Sequence, residues 1–206
     1  MRMAVAVNGL CSEGLGPPGV KCVRSLRAKE KKMSIKVGER LPAGVLYEFI
    51  EEERPGCSIG PNEFKVQDML KGRRIAIFGL PGAFTPTCSA KHLPGFVQKA
   101  DQLRKMVDEI WCLSVNDAYV MDAWGKQQGA QNKVRMMADG SGLFTTALGL
   151  EVDLTARGLG VRSQRYSMLV VDGVVKALNV EKPGKFEVSD VETLLKQAEK
   201  VIQYIP

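Results

Sequence analysis

The chain has 206 residues, 45% of them hydrophobic and 25% charged, ordinary values for a soluble globular protein with one substantial core. No apolar stretch approaches the roughly 18 residues that a membrane-spanning helix requires. The formal net charge of +6 raises the question of a nucleic-acid partner, but residues 1–40 carry nine Lys/Arg against three acids and the remaining chain holds twenty of each, so a basic groove for phosphates is unsupported.

Taken in chain order, residues 1–32 form a basic, acid-poor extension interrupted by Gly14-Leu15-Gly16-Pro17-Pro18-Gly19. Such a composition suits an organelle transit peptide or a disordered leader. Met33 then offers an alternative start, which leads us to expect a cytoplasmic form, a mitochondrial or other organellar form, or both. Residues 33–206 are expected to be one domain.

Within it, Val45 to Phe49 predicts an edge strand, followed by the charged turn Glu51-Glu52-Glu53-Arg54-Pro55-Gly56. Glu63 to Val66 leads into a short helix through Met69-Leu70 that stops at Lys71-Gly72. Arg74 to Leu80 predicts a central strand, and a helix from Cys88 to about Met106 follows, bent at Pro94 rather than ended there. Glu109 to Val115 predicts a second buried strand, Ala118 to Gln128 a helix, Lys133 to Met137 a third strand, and Leu143 to Leu148 a short helix. Asp172-Gly173 between Arg165–Val171 and Val174–Asn179 is the strongest hairpin signal in the chain. Ser189 is positioned to cap a last helix with the apolar stripe Val191, Leu194, Leu195, Ala198 and Ile202. The alternation predicts an α/β fold, with a mixed, mostly parallel sheet carrying helices on both faces and an antiparallel edge.

The chemistry concentrates where the central strand gives way to a helix. Pro81-Gly82-Ala83-Phe84-Thr85-Pro86-Thr87-Cys88 follows Ile75-Ala76-Ile77-Phe78 directly, and Leu93, Phe96 and Val97 recur at helical spacing after it. Cys88 therefore falls in a first helical turn, where unpaired N–H groups and the helix dipole favour the thiolate. Taken alone, Cys88 could be a buried inert thiol. His92, the one histidine of the chain, lies four residues on and so on the same helix face. It lines the pocket mouth or serves a structural surface role, because a Cys–His hydrolase would need an orienting group that the sequence does not offer. Phe84 and Trp124 read as packing residues. Gly79, Gly82 and Gly95 lack phosphate-loop order. The five cysteines, Cys11, Cys22, Cys57, Cys88 and Cys112, form neither CxxC nor zinc spacing, which points to single thiols in a reducing compartment.

From about Ile35 to Leu195 the chain resembles the peroxiredoxins, thioredoxin-fold thiol peroxidases, in their type II or type 5 branch. The resemblance rests on Pro81-x-x-x-Thr85-x-x-Cys88, on Phe78-Gly79-x-Pro81-Gly82-Ala83-Phe84-Thr85-Pro86, on His92-Leu93-Pro94-Gly95-Phe96, on Ser114-Val115-Asn116-Asp117, and on Asp172-Gly173-x-Val175-Lys176-Ala177-Leu178-Asn179-Val180. It implies a thioredoxin-like fold, reduction of hydrogen peroxide and alkyl hydroperoxides, and Cys88 as the nucleophile that becomes a sulfenic acid. It further implies that Thr85 bonds the thiolate or peroxide, that Pro81 shields the sulfenic acid, and that a distant arginine serves the thiolate. Arg165 matches that arginine, with Arg162 close enough to compete. Neither metal nor organic cofactor is implied. A homodimer is, with a contact near Phe84 and Trp124.

Reduction of the sulfenic acid stays open. The resolving cysteine of animal members has no counterpart in Gly184 to Asp190. Cys112 matches a second cysteine of plant members but also suits a packing thiol, and Cys57 has the spacing of a disulfide that crosses a dimer. The third route is direct reduction by glutathione with glutaredoxin, or by thioredoxin. Two rival readings are a thioredoxin-fold regulatory module that binds partners without turnover, and a thiol-disulfide oxidoreductase, which the missing CxxC partner disfavours.

Overall fold

The computed structural model describes residues 33–53 and 55–203. The extension 1–32, and with it every reading of its targeting role, lies outside the described residues.

The elements run β1 (Val45–Ile50), β2 (Gly60–Lys65), α1 (Val66–Leu70), β3 (Arg74–Gly79), a five-residue π turn (Cys88–His92), α2 (Leu93–Gln98), α3 (Ala100–Leu103), β4 (Glu109–Ser114), α4 (Ala118–Gln127), β5 (Arg135–Ala138) and α5 (Leu143–Leu148). Then follow β6 (Glu151–Asp153), a short 3₁₀ turn, β7 (Val161–Ser163), β8 (Tyr166–Val171), β9 (Val174–Val180) and α6 (Val191–Gln203). Seven strands form one sheet in the order β2-β1-β5-β4-β3-β8-β9, and β6 with β7 makes a separate two-stranded ribbon.

Alternation along β3 shows how the sheet is sealed on both faces. Ala76 and Phe78 join one cluster with Phe96 of α2, Leu103 of α3, Met121 and Trp124 of α4, and Leu194 and Leu195 of α6. Ile75 and Ile77 join the other, with Leu70 of α1 and Phe144 and Leu148 of α5. Period-two apolar residues in a strand covered on both sides produce this division. At Gly79 the sheet tolerates no side chain, since a Cβ there would stand 2.1 Å from the Tyr166 ring. The Asp172-Gly173 turn has positive φ at both residues (46° and 75°), as a type I′ hairpin requires.

Four expectations change. The sheet is mixed, but only β3 with β4 and β4 with β5 run parallel; β1 with β2, β1 with β5, β3 with β8 and β8 with β9 are antiparallel. Val45–Ile50 is not an edge, because β2 pairs along its outer side and takes that place. The helix from Cys88 breaks into a π turn, α2 and α3. Pro94 enters the first turn of α2, where its missing N–H costs little, and the wider π turn accommodates its ring against the preceding carbonyls. Finally, Ser189 does not cap α6. Its hydroxyl donates to Glu181 Oε1 (2.9 Å), while the N–H of Thr193 donates to Asp190 Oδ1 (3.0 Å).

Candidate active site

The register of the sheet assembles the site. Gly79, the last residue of β3, pairs with Tyr166, the first of β8, so Arg165 stands beside the point where the chain leaves β3 toward Pro81. The segment that follows is anchored across the sheet: the N–H of Ala83 donates to Asn116 Oδ1 at 3.0 Å, and the Ser114 hydroxyl donates to the same oxygen at 2.8 Å. Thr87 is already helical (φ −66°, ψ −34°), and the N–H of Ser89 donates to Thr85 O at 3.0 Å. Cys88 thus enters near the start of a helical stretch, and the N–H of Leu93 reaches back five residues to Cys88 O to close the π turn.

Cys88 is fully buried, and Arg165 Nη2 lies 3.4 Å from its sulfur. The same guanidinium, through Nη1, meets His92 Nδ1 at 3.1 Å, while His92 Nε2 meets Ser189 O at 3.1 Å. An arginine only donates and a carbonyl only accepts, so Nδ1 is the bare nitrogen and Nε2 carries the proton. Burial, reinforced by the Arg165 charge, holds the His92 pKa down at about 3. His92 is 1% exposed; it does not line a pocket mouth or sit on the surface, and it packs between Phe78, Phe96 and Phe186 (ring centroids 5.1, 5.6 and 5.1 Å). A neutral, buried ring that accepts from Arg165 orients the guanidinium and is no general base at neutral pH.

Thr85 donates its hydroxyl to Gly82 O at 2.8 Å, which leaves the oxygen's lone pairs free to accept. Pro81 is half-buried in the same loop. Arg162 is occupied elsewhere, with Nη1 on Val115 O (3.0 Å) and Nε on Leu159 O (2.7 Å). Among the described residues no group of three or more His, Cys, Asp or Glu is placed to hold a metal ion.

This geometry has relatives. A family model described as Redoxin matches residues 36–195. Peroxiredoxin-2B of Arabidopsis thaliana is 47% identical over 163 residues, which cover 79% of this chain and 97% of that protein. Chloroplastic Peroxiredoxin-2E of the same plant is 46% identical over 176 residues, 84% of this chain and 73% of its own. The chain belongs to the type II peroxiredoxins. Among solved structures, reduced Prx3 of Vibrio vulnificus in complex with H₂O₂ is 46% identical with a TM-score of 0.73, covering 80% of this chain and 99% of that one. The fold is thioredoxin-like, and the protein is a thiol-dependent peroxidase.

The other thiols of this peroxiredoxin lie in different settings. Cys112 is fully buried in β4, paired across the sheet with Phe78 and Met136. Burial pushes its thiol well above the ordinary range, and the nearby Cys88 adds to the effect. Cys57 is half-buried and lines a cleft of about 350 Å³ with Glu48, Glu109 and Arg135. Glu109 and Arg135 begin β4 and β5, whereas Cys88 follows the end of β3, which runs parallel to β4. Within one chain the two cysteines therefore sit at opposite ends of strands six residues long, roughly 20 Å apart along the sheet, so a Cys57–Cys88 disulfide could join only two copies of the chain.

Phe84 is 53% exposed with φ of 60°, and its ring tilts toward Trp124 at 6.4 Å. Trp124 itself is buried and donates Nε1 to Ser89 Oγ at 3.0 Å. Sequence reasoning missed Asn116, Glu181 and Phe186 as supports of the site. Only Asn116 left a signal, inside the Ser114-Val115-Asn116-Asp117 match. No helix among the described residues is long and apolar enough to cross a membrane.

Proposed function

We propose that this peroxiredoxin reduces hydrogen peroxide and small alkyl hydroperoxides at Cys88, and that residues 33–206 form the catalytic domain. The observation that carries the reading is the 3.4 Å contact between Arg165 Nη2 and Cys88 Sγ, which puts a permanent positive charge and spare N–H donors where a thiolate and a peroxide would meet. The Cys88 thiolate attacks one peroxide oxygen and the O–O bond breaks. The departing oxygen takes up a proton and leaves as water or an alcohol, and the sulfur retains the other oxygen as sulfenic acid. Arg165 stabilises charge on sulfur and on the departing oxygen, Thr85 Oγ1 accepts from the peroxide O–H, and Pro81 walls the loop. That the Vibrio relative is seen with H₂O₂ supports the substrate class.

For the second half of the cycle we favour an external thiol, glutathione with glutaredoxin or thioredoxin. Cys112 is locked between two strand ladders, and Cys57, at the other end of the sheet, could meet Cys88 only from a second copy of the chain. The thiol attacks the sulfenic sulfur, water leaves, and a second thiol releases Cys88 as a thiolate. Cys88 has no exposed surface, so peroxide and thiol alike reach its sulfur only when the surrounding loop or π turn opens, and a bulky thiol needs the wider opening. We place a contact between two copies of the chain at the exposed Phe84, and we assign the protein to the cytoplasm, to an organelle, or to both, according to whether the extension 1–32 is used.

Peptide-mapping mass spectrometry after one equivalent of hydrogen peroxide, with a sulfenic-acid trap present, tests the proposal. The expected product is trapped Cys88, or Cys88 joined to the supplied thiol. A Cys88 that remains a free thiol in the folded protein would instead support the regulatory binding module.

A further inference from the structure

The proposed chemistry leaves two buried carboxylates unused, Asp139 and Glu181, and the second of them is bonded through its backbone to Arg165. Glu181 directly follows β9 and is 7% exposed. A single oxygen, Oε1, accepts four hydrogen bonds, from the N–H groups of Glu187 (2.7 Å), Val188 (2.8 Å) and Ser189 (2.8 Å) and from the Ser189 hydroxyl (2.9 Å). Burial alone would raise its pKa, but these donors hold it below the usual carboxylate range. Its own N–H donates to Arg165 O at 2.9 Å.

The loop gathered by that oxygen bears on the catalytic arginine from two sides. The Phe186 ring lies 5.7 Å from the Arg165 guanidinium and 5.1 Å from the His92 ring. Ser189 O accepts the hydrogen bond of His92 Nε2–H, which fixes His92 Nδ1 as the acceptor that Arg165 Nη1 needs. The arrangement is not a helix cap, since Asp190 serves the first turn of α6. One oxygen holding four donors is a tether, and what it tethers is the floor under Arg165.

We propose that Glu181 is a positioning residue for peroxide reduction: by gathering residues 186–189 onto one oxygen it fixes His92 and Phe186, and through them aims Arg165 at Cys88. This rests on the Cys88–Arg165 reading above. Glu181→Gln keeps an acceptor at the reach of Oε1 and gives up only the charge that strengthens its bonds, so it retains most of the function. Glu181→Asp keeps the charge but falls short by one methylene and loses it.

The test is stopped-flow oxidation of the full chain by hydrogen peroxide, read by tryptophan fluorescence, in which Trp124 reports through its bond to Ser89 next to Cys88. Glu181→Asp is expected to slow oxidation roughly tenfold or more, the scale of a misaimed catalytic group, and Glu181→Gln to stay within about threefold of wild type. In an Arg165→Lys background, itself slow, Glu181→Asp should add less than about twofold, because both changes spoil the same contact. A merely structural loop anchor would lower the melting temperature without this coupling. The proposal is overturned if Glu181→Asp oxidises at the wild-type rate while Arg165→Lys is slow, or if the two losses multiply. If Arg165→Lys is as fast as wild type, the Cys88–Arg165 reading fails first and takes this one with it. Should Glu181→Asp not fold, Ser189→Ala, which removes only the hydroxyl donor, repeats the comparison at roughly two- to threefold, and a wild-type rate there overturns the proposal.

Discussion

Cys88 and Cys112 belong to the same apolar cluster and neither has any exposed surface, yet their surroundings differ in kind. Cys112 sits in mid-strand, with its neighbours in β3 and β5 paired to it on either side, and burial raises its thiol well above the ordinary range. It cannot move without opening two ladders. Cys88 has a guanidinium 3.4 Å from its sulfur and a backbone held in a π turn, a rare conformation that recurs at functional sites. On the proposed reading, exposure does not sort the reactive thiol from the inert one in this protein. A charge partner and a π turn in place of two strand ladders do.

The contrast is tested most severely at the proposed nucleophile. Cys88→Ser should cut thiol-dependent peroxide consumption by roughly 10³-fold or more, with far-UV circular dichroism unchanged. Residual turnover near the wild-type level would mean that another sulfur does the chemistry. The charge partner comes next. Arg165→Lys places a single ammonium where one planar group now serves both Cys88 Sγ and His92 Nδ1, and the second-order rate of Cys88 oxidation should fall by on the order of 10²-fold. Stopped-flow measurement at several peroxide concentrations checks this. A loss below about threefold would place the activating charge elsewhere.

Much of this site was legible because it is local in sequence. The strand running into Pro81-to-Cys88 follows from an apolar run, a loop and helical spacing, and the Asp172-Gly173 hairpin from a two-residue turn with positive φ. What the pattern could not reveal is pairing across distance. Whether β1 is an edge depends on β2 lying outside it, and whether the sheet is mostly parallel depends on where β8 and β1 insert; neither leaves a trace in apolar periodicity. Arg165 and Arg162 are equivalent by composition, and only the resemblance favoured Arg165; the antiparallel register of β8 on β3 is what puts one guanidinium on sulfur and the other on Val115 O. His92 reads as a surface or pocket-mouth residue on its helix face, but Phe186 and Ser189, more than ninety residues away, complete the burial that Phe78 and Phe96 begin.

His92 gives the Cys88 side a pH signature that the Cys112 side lacks. Its pKa is about 3 in the folded protein and about 6.5 in an unfolded chain. Below pH 6.5 the unfolded state therefore takes up a proton that the folded state refuses, and stability falls as pH drops. Between pH 7.5 and pH 5 the loss should be about 2 kcal/mol in urea titrations, and His92→Gln should abolish that slope. The depressed carboxylates Glu181, Asp190 and Glu109 contribute stability that is present above about pH 4.5 and lost only below it, so this window isolates the histidine. An unchanged slope in His92→Gln would show that a different group carries it.

The smallest effect is the one that decides what Cys112 is for. If it only packs, Cys112→Ala removes one sulfur from between β3 and β5 and costs about 1 kcal/mol of stability. Turnover with an external thiol should stay within about twofold of wild type, and no Cys88–Cys112 disulfide should form after peroxide under native conditions. Full burial and the raised thiol make that outcome the expected one, because a resolving cysteine must reach the sulfenic sulfur as a thiolate. Should Cys112→Ala instead stall after a single oxidation while Cys88 still forms its sulfenic acid, then β4 opens during the cycle, and the contrast between a yielding and a locked thiol would hold only for the reduced enzyme.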